Sequence, residues 1–299
     1  MSERSPEPPI FPDGPWLDTL LDACLAEDVG DGDVTTDVAI ASDARAEGVI
    51  AARTAGVVAG LPLLAPLFAR LSDAVEVELV SADGRRLEPG EPAARLRGPA
   101  APILTGERAA LNFLQHLSGI ATLTARYVAA VAGTGCRILD TRKTLPGYRA
   151  LAKYAVRCGG GHNHRLGLYD RILLKDNHWA ARDASLAELV ARGRRRHPDL
   201  AIEVEVDSLE QFADVLPLRV EWVLLDNLSP ARTREAVRLR DESETGDWRT
   251  LLESSGNVDL DNVREYAEAG VDACSSGRLT HSVPALDLGL DLRAAETPR

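Results

Sequence analysis

Six short apolar runs recur between Arg137 and Gly277, "RILD", "RILLKD", "AIEVEV", "EWVLLD", "TLLESSG" and "VDACSSG", with helical stretches between them. Strands that alternate with helices are brought back in the same direction by each crossover, so they pair in parallel, in a sheet that is open or closed into a barrel. A seventh strand is conceivable near "AVRCGGGHNH", and the eight of a complete barrel are not legible. Upstream, from Pro15 to about Gly98, "WLDTLLDACLAED" has helical spacing, "VEVELV" alternates and "LEPGEPAARL" reads as a tight connection between strands, which predicts a small α+β domain. Between the two lies "TGERAALNFLQHLSGIATLTARYVAAVAG", with apolar residues at helical spacing. Thr105 is placed to cap it, and Ser118 and Gly119 to break it into two helices that bridge the domains.

The predicted strands end in Asp140, Thr141, Arg142 and Lys143; in Lys175, Asp176 and Asn177; in Glu203 and Glu205; in Asp226 and Asn227; in Ser254, Ser255 and Gly256; and in Ser275, Ser276 and Gly277. Parallel α/β folds place their active sites at such ends. Helix capping accounts for Ser, Asp and Asn there but not for Arg, Lys and Glu, so a shared pocket is expected. Arg142, Lys143, Arg165 and Lys175 sit at strand ends or in glycine-rich turns. Each charge-assisted hydrogen bond to a buried ligand contributes roughly 1.5–3 kcal/mol, so four such groups would bind a multiply anionic substrate tightly. Arg149, Lys153 and Arg157 have i,i+4 spacing and read instead as a solvated helix face.

His162 and His164 could ligate zinc, but Arg165 beside them adds cationic repulsion. Glu205 and Asp226, carboxylates at adjacent strand ends, suit Mg²⁺ shared with substrate phosphates better. Alternation puts Glu203 and Glu205 on one strand face, where one of them can serve as only a salt-bridge partner for a nearby Lys or Arg; Glu205, closer to the strand's carboxyl end, is the favoured ligand. The last two ends, "ESSGN" and "CSSGR", offer backbone N–H groups before helices, a geometry that binds phosphate. No Ser-His-Asp arrangement, nucleophile elbow or dinucleotide-type G-x-G-x-x-G follows a strand. The residues alone thus describe a cationic, Mg²⁺-assisted pocket for a phosphorylated substrate and a second anion.

The net charge of -12 argues against nucleic acid or an anionic membrane as a partner. No apolar stretch approaches the roughly 20 residues that span a bilayer. The opening "MSERSPEPPIFPDGP" lacks the basic start and apolar run of a signal peptide, and residues 1–14 are expected to be a mobile tail. Cys24, Cys136, Cys158 and Cys274 form no C-x-x-C pair, which suits reduced thiols and a cytoplasmic protein.

The stretches "AEDVGDGDVTT", "GERAALNFLQHLSGIATLT", "ILDTRKTLPGYRALAKYAVRCGGGHNHRLGLYDRILLKDNH", "EVEVDSLEQ", "LLDN", "LESSGN" and "LTHSV" resemble the quinolinate phosphoribosyltransferase family from about Asp18 to about Leu292. The resemblance implies an α/β protein with an N-terminal α+β sandwich over 15–120 and an incomplete parallel β/α barrel over 121–282, of the type II phosphoribosyltransferase kind. Residues 283–299 would return to the N-terminal domain. It further implies a homodimer with active sites at the subunit interface. The reaction would move phosphoribosyl from 5-phosphoribosyl-1-pyrophosphate to quinolinate and release CO₂, pyrophosphate and nicotinate mononucleotide, in de novo NAD synthesis.

Residue by residue, Arg142, His164 and Arg165 look like the quinolinate carboxylate contacts, beside Thr141 and with the partner subunit's Arg108 reaching in. Lys143 and Lys175 resemble lysines on the phosphoribosyl donor and the second carboxylate, and Lys143 is the leading candidate to assist decarboxylation. Glu205 and Asp226 resemble the carboxylates that hold the Mg²⁺–pyrophosphate–ribose assembly. Ser255, Gly256 and Asn257, and Ser276, Gly277 and Arg278, fall at the phosphate nests, with His281 nearby. "SSGN" departs from the commoner S-G-G, and Ser276 and Arg278 replace a usual Val and Ala. Asn257 would there need a positive φ. A nicotinate phosphoribosyltransferase or the molybdenum-transport-associated relative would lack the full carboxylate set, and a non-catalytic nucleotide binder would not need Lys143, Lys175, Glu205 and Asp226 together.

Overall fold

The computed structural model describes residues 9–175, 177–178, 183–243 and 246–295. Residues 1–8 of the expected tail, Asp176 and the last four residues lie outside the described residues. Two compact units emerge, one of Met1–Ala125, Ala150–Gly160 and Val283–Arg299, the other of Arg126–Arg149 and Gly161–Ser282.

The first unit opens with α1 (Pro15–Val29), which starts on a proline that needs no helical donor and buries Leu17, Leu21 and Leu25 at four-residue spacing. α2 (Val34–Ala39) is capped by Asp33, whose Oδ1 accepts the Thr36 N–H at 2.9 Å. β1 (Arg45–Ala52), β3 (Glu76–Leu79), β5 (Pro92–Pro99) and β12 (Leu288–Ala294) form an antiparallel sheet in the order β12-β1-β5-β3. β2 (Gly56–Val57) and β4 (Arg86–Leu87) pair separately, and α3 (Leu64–Ala69) buries Leu64, Leu67 and Phe68. β12 registers along β1 from Ala46 opposite Ala294 to Ala52 opposite Leu288, so the end of the chain completes the sheet begun near its start.

α4 runs unbroken from Ala100 to Ala130, which corrects the expected break at Ser118 and Gly119. Ser118 is fully buried and its hydroxyl accepts the Ala59 N–H at 3.0 Å. Gly119 is small for a packing reason, since a Cβ there would stand 2.3 Å from the Pro284 carbonyl oxygen. Thr105 is inside the helix, where its hydroxyl donates to Asp33 Oδ2 at 3.1 Å instead of capping.

The segment expected to be one catalytic stretch, 121–282, is interrupted by α5 (Arg149–Cys158), most of which belongs to the first unit. Tyr154 donates to Asp83 Oδ2 at 2.7 Å and meets Phe11 edge-on at 5.1 Å. The helix is buried without interruption from Leu151 to Val156, which overturns the solvated-face reading for Lys153, 3% exposed.

The second unit holds β6 (Arg137–Leu139), β7 (Ile172–Leu174), β8 (Ile202–Val206), β9 (Trp222–Asp226), β10 (Leu251–Ser255) and β11 (Ala273–Ser275), all parallel in the order β6-β11-β10-β9-β8-β7. The stretch "AVRC" closes α5, and the seventh-strand reading reduces to a single parallel bridge between His162 and Leu139. Helices Leu186–Arg196, Leu209–Val215, Pro230–Ser243 and Val263–Glu268 alternate with the strands. Ser185 and Glu188 close a reciprocal capping box on the first of them. Among the described residues no helix is long and apolar enough to cross a membrane.

Candidate active site

Parallel strands deliver their carboxyl ends to one edge, and a cavity of about 360 Å³ opens there. Thr141, Arg142 and Lys143 enter after β6, His164 and Arg165 after the His162 bridge, and Lys175 after β7; Asp226, Ser255 and Ser275 close β9, β10 and β11. Leu173, Leu224 and Glu253 line it one step back along their strands. A larger hollow, about 500 Å³, lies against Leu216, Leu239 and Trp248 with Arg219 as its charged residue, so the donor set and not volume picks out the site.

Asp140, fully buried, builds the cationic wall. Its Oδ1 accepts the His164 N–H at 2.9 Å and its Oδ2 the Asn163 side-chain amide, which pins the 163–165 segment beside the 140–143 turn. Arg142 and Arg165 therefore face one cavity. Burial, and then the charge of Arg142, lower the pKa of the 8%-exposed Arg165 guanidinium. Nε of Arg142 is buried and finds no acceptor among the described residues. Two guanidiniums held this way repel each other until an anion with two acceptor groups enters between them.

Beneath them, His164 Nδ1 accepts the Arg165 backbone N–H at 2.7 Å, and Nε2 faces Glu203 at 3.0 Å and Glu253 at 3.4 Å. Burial disfavours the charged ring, but the hydrogen bond to Glu203 and the nearby carboxylates outweigh it and raise its pKa. Nδ1 is already an acceptor, so in this arrangement the ring carries its proton on Nε2. Arg171 reaches Glu203 at 3.1 Å and stacks over Trp222 at 5.3 Å. Burial opposes ionisation of Glu203, while His164 and Arg171 more than compensate and lower its pKa. Ligand atoms of His164, Glu203 and Glu253 lie within 4.8 Å of one another, as a metal site would require, but Arg171 already supplies the cation that Glu203 needs.

On the opposite side Lys175 ion-pairs with Glu205. Burial and then the Glu205 charge raise the pKa of Asp226, whose Oδ2 accepts the Asn227 side-chain amide at 2.7 Å. Lys143 is exposed, and its carbonyl accepts the Thr280 hydroxyl at 2.7 Å, which ties the turn to the helix Arg278–His281.

The two expected nests differ. Gly256 has φ 81°, and a Cβ there would meet Asn227 Oδ1 at 2.2 Å. Asn257 has φ 54° and donates to Asn227 Oδ1 at 3.0 Å, a local bond of the kind that lets Asn tolerate this backbone. At the second, Ser276 is turned inward: its N–H goes to the Leu139 carbonyl at 3.2 Å and its hydroxyl to Val258 at 2.9 Å. Its neighbour Ser275 lines the cavity instead. A Cβ on Gly277 would stand 2.9 Å from both His281 Nε2 and Lys143 Cδ, so these three converge; Arg278 is exposed. Arg108 is exposed on α4 in the first unit. Sequence reasoning missed Glu253, Leu173 and Leu224, and chose Ser276 over its strand-end neighbour Ser275. Glu253 had a signal, an acid two residues before Ser255 and so on the same strand face.

The profile described as "Quinolinate phosphoribosyl transferase, N-terminal domain" matches residues 33–118, and "Quinolinate phosphoribosyl transferase, C-terminal domain" matches residues 120–291. "Nicotinate-nucleotide pyrophosphorylase [carboxylating]" of Mycobacterium leprae is 45% identical over 92% of this chain and 96% of its own length. A "probable nicotinate-nucleotide pyrophosphorylase [carboxylating]" of Bacillus subtilis is 39% identical over 92% and 93%. The solved nicotinate-nucleotide pyrophosphorylase of Francisella tularensis superposes with a TM-score of 0.86 at 33% identity, over 93% of this chain and 96% of that one. With both domains matched and the strand-end constellation assembled, the chain belongs to the quinolinate phosphoribosyl transferase family.

Proposed function

We propose that this cavity transfers the phosphoribosyl group of 5-phosphoribosyl-1-pyrophosphate to the ring nitrogen of quinolinate, with loss of the carbon 2 carboxylate as CO₂. The observation that carries this reading is the pair of guanidiniums, Arg142 and Arg165, which line one cavity closely enough that the Arg142 charge adds to burial in lowering the Arg165 pKa. Quinolinate offers two adjacent carboxylates, and two forks match them where a one-carboxylate acceptor would leave a cation uncompensated. His164 holds the Arg165 segment, and Thr141 closes the turn by accepting the Lys143 N–H at 3.0 Å.

Glu205 and Asp226 would hold Mg²⁺. They fit it, since burial and then the Glu205 charge raise the Asp226 pKa, and a divalent cation between oxygen ligands relieves that repulsion. When bound, Mg²⁺ neutralises charge that develops on departing pyrophosphate. Lys175 orients Glu205, and Lys143 contacts the donor's anionic groups. Ser255, Gly256, Asn257, Gly277 and the 278–281 turn hold the phosphate. No covalent nucleophile is required: the ribose–pyrophosphate bond breaks, the quinolinate nitrogen takes its place, and the cationic ring then draws the electrons of the C2–carboxylate bond. We further propose a homodimer in which the partner subunit's Arg108 completes the carboxylate pocket, and a cytoplasmic location.

The test is a product assay with quinolinate, phosphoribosyl pyrophosphate and Mg²⁺, with nicotinate as the competing acceptor. Equal yields of nicotinate mononucleotide and CO₂ from quinolinate support the reading; product from nicotinate without CO₂ overturns it.

A further inference from the structure

Decarboxylation leaves a chemical demand that the residues assigned above do not meet. When the C2–carboxylate bond breaks, CO₂ departs neutral and the bonding pair stays on C2, beside the cationic ring nitrogen. A proton must then reach C2. Arg142 and Arg165 do not release protons. Lys175 is held by Glu205, Lys143 is exposed, and ammonium groups are weaker acids than a carboxylic acid.

The strand register supplies a different candidate. Glu205, Leu224, Glu253 and Ala273 are successive partners across β8, β9, β10 and β11, and this row lies one layer deeper than Asp226 and Ser255. Glu253 is fully buried yet lines the cavity next to Leu224. Among the described residues its oxygens accept no well-formed hydrogen bond, the neighbouring Ser275 hydroxyl only partly offsets its burial, and the nearest basic nitrogen is His164 Nε2 at 3.4 Å, whose proton points to Glu203 at 3.0 Å. Two neighbouring buried carboxylates do not both ionise. Glu203 has Arg171 and His164, so Glu253 is the one that keeps a proton.

We infer that Glu253 is the acid that protonates C2 after CO₂ departs, an inference that rests on reading this cavity as the quinolinate site. The O–H bond of Glu253 breaks, the C2–H bond forms, and the resulting carboxylate recovers its proton from solvent once product leaves. Burial and the Glu203 charge push the Glu253 pKa up to about 7, near the working pH that suits a general acid. The titratable and charged groups that face it are Glu203 on β8, His164 after the 162 bridge, Arg171 before β7 and Cys274 on β11.

Wild-type protein is assayed first, because absence of CO₂ and nicotinate mononucleotide would sink the reading of the site and not this inference. Given turnover, Glu253→Gln should keep the quinolinate Kd within about threefold and slow single-turnover formation of nicotinate mononucleotide, the product that carries the new C2–H bond, by about 100-fold or more. Wild-type rate should fall on the alkaline side as the acid loses its proton; E253Q should lack that limb, and Glu253→Asp should retain it and recover at least about tenfold over E253Q. Turnover by E253Q at the wild-type rate, or an unchanged limb, overturns the inference, as does loss of quinolinate binding in proportion to rate, which marks a positioning role. Should E253Q fail to fold, E253D decides: the limb must move with the substituted acid.

Discussion

His164 accepts the backbone N–H of Arg165 on Nδ1 at 2.7 Å and gives its other nitrogen to Glu203 at 3.0 Å. With both nitrogens engaged inside the protein, the ring is a post that fixes Arg165 rather than a free donor to substrate. Removing it leaves Glu203 with one partner fewer and the Arg165 amide without an acceptor. His164→Ala is therefore expected to destabilise the fold by about 3 kcal/mol, the range for breaking a buried pair, and to weaken quinolinate binding through Arg165. Urea unfolding at neutral pH checks it; a change below about 0.5 kcal/mol, the scale of an ordinary surface substitution, would show that the ring holds nothing.

Arg142 and Arg165 oppose each other across the cavity and cooperate on a dianion. Arg142→Gln should weaken quinolinate binding about 10- to 100-fold, the loss of a charge-assisted pair, while thermal stability stays level or rises because Arg165 is relieved of a like charge. Calorimetric titration and a melting curve on the same sample check both. A variant that loses stability and affinity together would mean that Arg142 supports the fold.

Much of this was legible because parallel strands advertise their carboxyl ends: Thr141, Arg142, Lys143, Lys175, Asp226 and Ser255 all reach the cavity where strand ends in the sequence put them. What stayed hidden depends on contacts between distant residues. Nothing local distinguishes Gly119 as a packing glycine from a helix breaker until Pro284 is beside it. The i,i+4 pattern of Arg149, Lys153 and Arg157 gives spacing but not surroundings, and Lys153 is enclosed by the unit that α5 joins. Ser275 and Ser276 are adjacent and chemically identical, and only the pleat of β11 decides that the first faces the cavity and the second the Val258 carbonyl.

Asp226 stands at the end of β9, where burial and then the charge of Glu205 raise its pKa, and a divalent cation relieves that like-charge repulsion. Asp226→Asn should raise the Mg²⁺ concentration needed for half-maximal turnover and lower the maximal rate on the order of 100-fold, as for loss of one preorganised electrostatic stabiliser. Quinolinate affinity, set on the other wall, should not change. An unaltered Mg²⁺ dependence would remove Asp226 from the ion's coordination.

Glu253 also sets how stability varies with pH. Its pKa rises from 4.5 to about 7 on folding, so between these values the folded state binds more protons than the unfolded one. Stability contributed by the protonated acid is complete below 4.5 and disappears as pH rises to about 7, a loss of up to ~3 kcal/mol. His164, with a raised pKa, acts in the same direction above its unfolded value, whereas Glu203, with a lowered one, loses its contribution only at acid pH. Glu253→Gln cannot ionise and escapes the loss, so its stability relative to wild type should climb between pH 5 and pH 8. Urea unfolding at both pH values measures the difference, and parallel behaviour of the two proteins would mean that Glu253 is ionised in the fold and cannot be the acid proposed for C2.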